Sequence, residues 1–147
     1  LMGDLITIKH YNLPVKVVVF NNSSLGMVKL EMLVQGLPDF ATDSPEVDYA
    51  AIGKSLGISS VRVEDPQDLE RVFAEEMEKP GPSVIDVVTD PNALSMPPKI
   101  TWDHMQGFAT AMSKEVLGGG LGEVMQMARS NLRNIPSRPS QFSLRGK

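Results

Sequence analysis

The sequence predicts an α/β fold, a parallel sheet flanked by helices and followed by C-terminal amphipathic helices. Three observations predict it. Short apolar runs at residues 15–20, 58–63 and 83–88 alternate with stretches of helical spacing. The order strand, helix, strand, helix, strand implies parallel pairing with right-handed crossovers. The first run is largely β-branched and apolar, with Lys16 the exception, as a strand buried on both faces should be. It stops abruptly at Asn21-Asn22-Ser23-Ser24, four short side chains able to bond nearby backbone, a ligand or a metal. In an open parallel sheet, ligands bind just past the carboxyl ends of strands. The quartet is therefore either an ordinary turn or the polar part of a site.

Each element has its own signals. Residues 1–12 read as the last part of a helix, with Leu5, Ile6, Ile8 and Lys9 compatible with one buried face and Asn12 closing it. Its abrupt opening leads us to expect a fragment of a longer chain. Leu13-Pro14 leads into the first strand. Leu25, Val28, Met32 and Leu33 give residues 25–34 helical spacing, and 36–45 form a loop rich in Gly, Pro and Asp. Ser44 as N-cap and Pro45 at the first helical position open a helix that Gly57 ends, with Val47, Ala50, Ala51 and Ser55 as a small packing face. Asp65-Pro66 opens the next in the same way, with Leu69, Val72, Phe73 and Met77 on one side, and Pro80-Gly81-Pro82 stops it.

A proline-bearing connector at 90–99 follows, anchored by Trp102. Residues 103–117 form a helix with Met105, Phe108, Ala109, Met112 and Val116 on its apolar face. Gly118-Gly119-Gly120 is a hinge, and lacks the preceding strand that a dinucleotide motif requires. Residues 121–132 form an amphipathic helix with Leu121, Val124, Met125, Ala128 and Leu132 on one side. The division expected is an α/β domain at 1–98, helices at 99–134 and a disordered basic tail at 135–147.

The composition excludes several classes. With 147 residues, 41% hydrophobic and 22% charged, the chain reads as an ordinary globular domain. It has no cysteine, so disulfides, zinc-thiolate sites and cysteine nucleophiles are out. No apolar run approaches the roughly 18 residues of a membrane span, and the cytoplasm is the default location. The net charge of −4 hides an asymmetry. Residues 1–123 hold all 18 acids and 9 of the 14 bases, whereas 124–147 hold Arg129, Arg133, Arg138, Arg145, Lys147 and no acid. Such a basic end either meets something anionic or is simply solvated. His10 and His104 lack a partner at ligand spacing and read as surface or capping residues.

The segment 13–26, Leu-Pro-Val-Lys-Val-Val-Val-Phe-Asn-Asn-Ser-Ser-Leu-Gly, resembles the second half of the thiamine-diphosphate fingerprint. Its form is most similar to that of pyruvate oxidases and quinone-linked pyruvate dehydrogenases. Leu1-Met2-Gly3-Asp4-Leu5, Gly57-Ile58, Arg62-Val63-Glu64, Asp86-Val87-Val88 and Pro97-Pro98 fit the same family, and the resemblance runs to about residue 133. It implies the thiamine-diphosphate-binding fold, truncated at its N-terminus. It also implies a magnesium ion bridging the cofactor's diphosphate to the protein, with Asn22 supplying an amide oxygen and Ser24 a backbone carbonyl. Ser23, Leu25, Gly26 and Met27 would line the cofactor, although Met27 also reads as a core residue. The aspartate half of the fingerprint is not Asp4, which stands 18 positions before Asn22, closer than the family gap. It is expected upstream of residue 1.

The resemblance further implies an acid at the active-site edge, Glu31, able to relay protons or orient substrate; on its own residues it reads as a surface helix acid. The implied enzyme oxidatively decarboxylates pyruvate and passes electrons through FAD, bound on another domain, to a quinone. Its partners would be pyruvate, a quinone and its own copies in a homotetramer, with no nucleic acid. Residues 121–147 are an expected contact with an anionic membrane, which would make the protein peripheral on the inner face of the cell membrane. The alternatives are an acetolactate-synthase-like carboligase or a non-catalytic docking module, and the segment by itself is expected to show no turnover.

Overall fold

The computed structural model describes residues 2–93 and 102–132. It divides into two compact units, with boundaries between residues 25 and 26, 40 and 41, and 91 and 92. The first unit contains α1 (Met2–His10), β1 (Lys16–Asn21), α3 (Tyr49–Ser55), β2 (Ser59–Val63), α4 (Leu69–Glu78) and β3 (Ser83–Val88). The second contains α2 (Gly26–Val34), α5 (Trp102–Leu117) and α6 (Leu121–Leu132).

The predicted α/β class and parallel sheet are present. Three strands run parallel in the order β1-β3-β2, with Lys16 opposite Ser83 and Ser59 opposite Ser83 setting the two registers. The strand buried on both faces is β3, the central one, where Ser83 to Val87 are all buried. Its alternate residues serve opposite faces. Ile85 and Val87 join Val63 and Val72 in one core. Val84 lies on the side of α3, where Gly53 lets the helix backbone approach; a Cβ there would sit 3.1 Å from Val84 Cγ2. The expectation of a doubly buried first strand is corrected. β1 is an edge strand, half-buried along most of its length, and Phe20 is 75% exposed. An apolar run marks a strand well but does not say whether that strand is central.

Most boundaries match. Asn12 closes α1 as expected: it takes a left-handed φ of 47°, its N–H donates to Lys9 O at 3.1 Å, and the Leu13 N–H donates to Ile8 O at 3.0 Å. Gly57 ends α3 by the same geometry. Three details differ. Helix α3 begins four residues after Pro45, capped by Asp48, whose carboxylate accepts the Ala51 N–H at 2.7 Å. Ser44, five residues before the helix starts, is not its cap, and its N–H instead donates to Ser23 O. The small face of α3 is Ala50 and Gly53, while Ala51 and Ser55 are exposed. On α4, Val72 is buried with Leu69 and Phe73 beside it, but Met77 is exposed and Glu76 is buried instead. Glu76 accepts from Ser59 Oγ and Lys79 Nζ, which satisfies its carboxylate. On α1, Leu5 and Ile8 are half-buried, whereas Ile6 and Lys9 face solvent.

The second unit packs α2 on α5 and α5 on α6 around Leu30, Leu33, Ala111 and Met127, with Val34, Phe108 and Met112 at the margin. Of the residues predicted to face inward, Leu33, Phe108 and Met112 do pack here. Val28 is exposed, and so are Met105, Ala109, Val116, Leu121, Met125 and Ala128. The cause is visible at Gly107, where a Cβ would stand 1.8 Å from Val34 O. Backbone contact at Gly107, with Ala111 one turn on, turns the small residues of α5 inward and the larger Met105 and Val116 outward. Gly119, at φ 98°, ends α5, so the glycine run is a helix-terminating turn. Trp102 is 69% exposed at the start of α5. The connector at 94–101 and the tail at 135–147 lie outside the described residues.

Candidate functional site

Strand β1 ends at Asn21, and the polar quartet turns the chain. The Asn22 Oδ1 accepts the Ser24 N–H at 3.2 Å, an Asx turn. Ser23 between them has φ 49°, the left-handed region that a β-carbon disfavours. Such strain persists only where the surroundings hold it. Here residues 42–44 do so. Ser24 and Asp43 form an antiparallel bridge, Leu25 N–H donates to Thr42 O at 2.7 Å, and Ser44 N–H donates to Ser23 O at 2.9 Å. The quartet is thus a short, paired ledge at the carboxyl end of a strand.

Behind it stands a polar cluster at the carboxyl ends of all three strands. Asn21, buried, donates its Nδ2 to Val47 O at 2.8 Å. Arg62 of β2 donates Nη1 to the same carbonyl at 3.1 Å and to Asp86 Oδ2 at 3.2 Å, Nη2 to Glu46 at 2.6 Å and Nε to Glu64 at 2.8 Å. Asp86 of β3 is fully buried and its Oδ2 also accepts the Tyr49 N–H at 3.0 Å. The hydrogen bond that Arg62 donates to Glu64, ahead of the nearby carboxylate charges, raises the Arg62 pKa above its ordinary value. Arg62 therefore stays charged throughout the accessible pH range, and Asp86 has its counter-charge in place.

The oxygen chemistry of the ledge fits a hard cation: a neutral amide oxygen at Asn22, with only one lone pair taken by Ser24 N–H, and backbone carbonyls beside it. Asn22 and Ser24 would hold part of a magnesium shell and leave the rest to diphosphate oxygens and other ligands. Among the described residues no group of three or more His, Asp or Glu could hold a metal. Ser23 and Leu25 lie on the same ledge. Gly26 and Met27 open α2 in the second unit, and the free N–H groups of a helix's first turn favour phosphate. Met27 is 64% exposed, which corrects its reading as core. Glu31 is an exposed side chain on α2. His10 is exposed and packs edge-on against Tyr11.

Two features went unread in the sequence. The bracing role of 42–44 has no sequence signal beyond turn-forming residues. Arg62 and Asp86 do have one: opposite charges, each set within an apolar strand, at positions that pair directly in the parallel register.

Comparison with known proteins agrees with this geometry. The family model for the C-terminal TPP-binding domain of thiamine pyrophosphate enzymes matches residues 1–87. A Bacillus subtilis protein described as thiamine pyrophosphate-containing, YdaP, is 35% identical over 129 residues, 88% of this chain and 22% of that protein. The acetolactate synthase of Bacillus subtilis is 31% identical over 87 residues, 59% of this chain and 15% of that enzyme. The acetolactate synthase large subunit of Parasynechococcus marenigrum is 32% identical over 96 residues, 57% of this chain and 14% of that subunit. The chain thus spans less than a quarter of the length of these relatives. With the family model covering the sheet and its ledge, the chain belongs to the thiamine pyrophosphate enzyme family, as a C-terminal TPP-binding domain.

Proposed function

We propose that this chain is the diphosphate-holding part of an acetolactate-synthase-like carboligase that uses pyruvate. The observation that carries this reading is the recurrence of acetolactate synthases among the relatives. Thiamine diphosphate would supply the carbanion chemistry, and this chain would bind and orient it. Asn22 and the Ser24 carbonyl would hold magnesium, Ser23, Leu25, Gly26 and Met27 would sit along the diphosphate, and Glu31 would hold or move a proton at the substrate edge.

One observation favours a second reading, oxidation of pyruvate through FAD to a quinone. Leu121 and Met125 are exposed on α6, and the sequence from 124 onward carries only basic charge. Those features suit a membrane-surface contact, with the enzyme peripheral on the inner face of the cell membrane.

The test is product analysis on the full-length enzyme supplied with pyruvate, magnesium, thiamine diphosphate and FAD. Acetolactate formed without reduction of a soluble quinone analogue is expected. Acetate with stoichiometric quinone reduction would replace the carboligase with the oxidase.

A further inference from the structure

The cluster behind the ledge has no part in the chemistry just proposed, yet its connections are specific. Asn21, Arg62 and Asp86 come from the carboxyl ends of β1, β2 and β3, and all three bond the short segment 46–49. The Val47 carbonyl receives two donors, one from each outer strand. Asp86 holds the Tyr49 N–H, one residue after the cap of α3. Residues 42–44 precede this gripped segment and form the bridge that carries Ser23, Ser24 and Leu25. Between bridge and grip stands Pro45, whose ring fixes one backbone dihedral. A displacement of 46–49 therefore passes to 42–44 with little slack.

We propose that Arg62 and Asp86 are positioning residues for the cofactor ledge: they clamp 46–49 and thereby fix the height and tilt of Asn22–Leu25 against the diphosphate. This rests on the reading of the ledge as the diphosphate site. Neither residue is part of the ledge itself; both bond segment 46–49. Arg62 suits the task because its planar fork places donors on a carbonyl and three carboxylates at once, which a lysine cannot do. Asp86 suits it because its central strand is the most deeply buried part of the sheet.

The test uses the full-length enzyme and the paired replacement Arg62→Met with Asp86→Leu. Removing both charges together leaves no uncompensated ion in the core, so the sheet persists while the clamp is lost. Arg62→Lys, which keeps the charge and loses the fork, serves if the pair does not fold. Three quantities are read: hydrogen exchange at the Leu25 and Ser44 amides relative to Ile85, the Kd for thiamine diphosphate at saturating magnesium, and kcat at saturating cofactor. The expected result is exchange at Leu25 and Ser44 at least tenfold faster relative to Ile85, a Kd weakened about tenfold, and kcat at saturating cofactor changed less than Kd. Uniform acceleration of all three amides overturns the proposal, because the cluster is then merely part of the fold. A loosened ledge with unchanged Kd also overturns it, and Asn22→Ala tells why. If Asn22→Ala weakens the Kd, the clamp is irrelevant to binding. If it too leaves the Kd unchanged, the ledge is not the diphosphate site.

Discussion

The two units solve the same packing problem with different materials. The sheet unit is held by a central strand buried on both faces and by a charged cluster at one end of it. The helix unit is held by backbone proximity at Gly107 and by a modest core of Leu30, Leu33, Ala111 and Met127. The first arrangement is tolerant of shape but intolerant of an unpaired charge. The second is the reverse.

That contrast can be broken most severely at Arg62. Arg62→Met alone leaves Asp86 buried without its cation, and the loss should be about 3–5 kcal/mol of stability, read by urea denaturation. The paired replacement with Asp86→Leu should recover most of it. If the single variant is as stable as the parent, the ion pair does not govern the sheet unit.

Next comes Gly107→Ala. The new methyl would meet Val34 O and Val34 C, backbone atoms that cannot rotate away. Overpacking of this kind costs about 1–3 kcal/mol, and α5 should separate from α2. Gly53→Ala is the matched control in the sheet unit. Its methyl would lie 2.2 Å from Ser60 Oγ, a side-chain atom that can turn aside, and alanine gains helix propensity. Its net cost should be smaller, and Ser60→Gly should relieve it. Equal losses at the two glycines would remove the distinction between the units. Smaller still is Asp48→Ala, which deletes the cap bond to Ala51 N–H and should cost about 1 kcal/mol, with exchange at Ala51 rising first.

The same contrast explains what could be read without coordinates. The succession of elements and parallel pairing follow from alternating runs and turn formers, and the asparagine–serine quartet at the end of β1 marked the ledge. Helix faces in the second unit followed only in part, because hydrophobic spacing weighs Met105 and Val116 above Gly107 and Ala111. Where backbones touch, the smallest residues choose the face. The centrality of β3 was likewise hidden: Val15 to Phe20 is the more apolar run, but position in a sheet depends on pairing, which no single strand encodes. Residues 42–44 were invisible as a brace because their role lies in bonds made to residues about 20 positions earlier.

The smallest stability effect is expected from Leu121→Asp with Met125→Asp on α6. Both side chains are more than half exposed, and substitutions at such positions usually change stability by no more than about 0.5 kcal/mol. Their apolar area faces water while Met127, two positions on from Met125, carries the packing. The variant therefore separates two uses of one helix. Unfolding should be nearly unchanged, whereas flotation of the full-length enzyme with anionic vesicles should fall if the exposed face meets the membrane. Loss of stability comparable to Gly107→Ala would mean that Leu121 and Met125 belong to the core after all. Unchanged flotation with unchanged stability would remove the membrane contact and, with it, the observation that favours the quinone-linked reading.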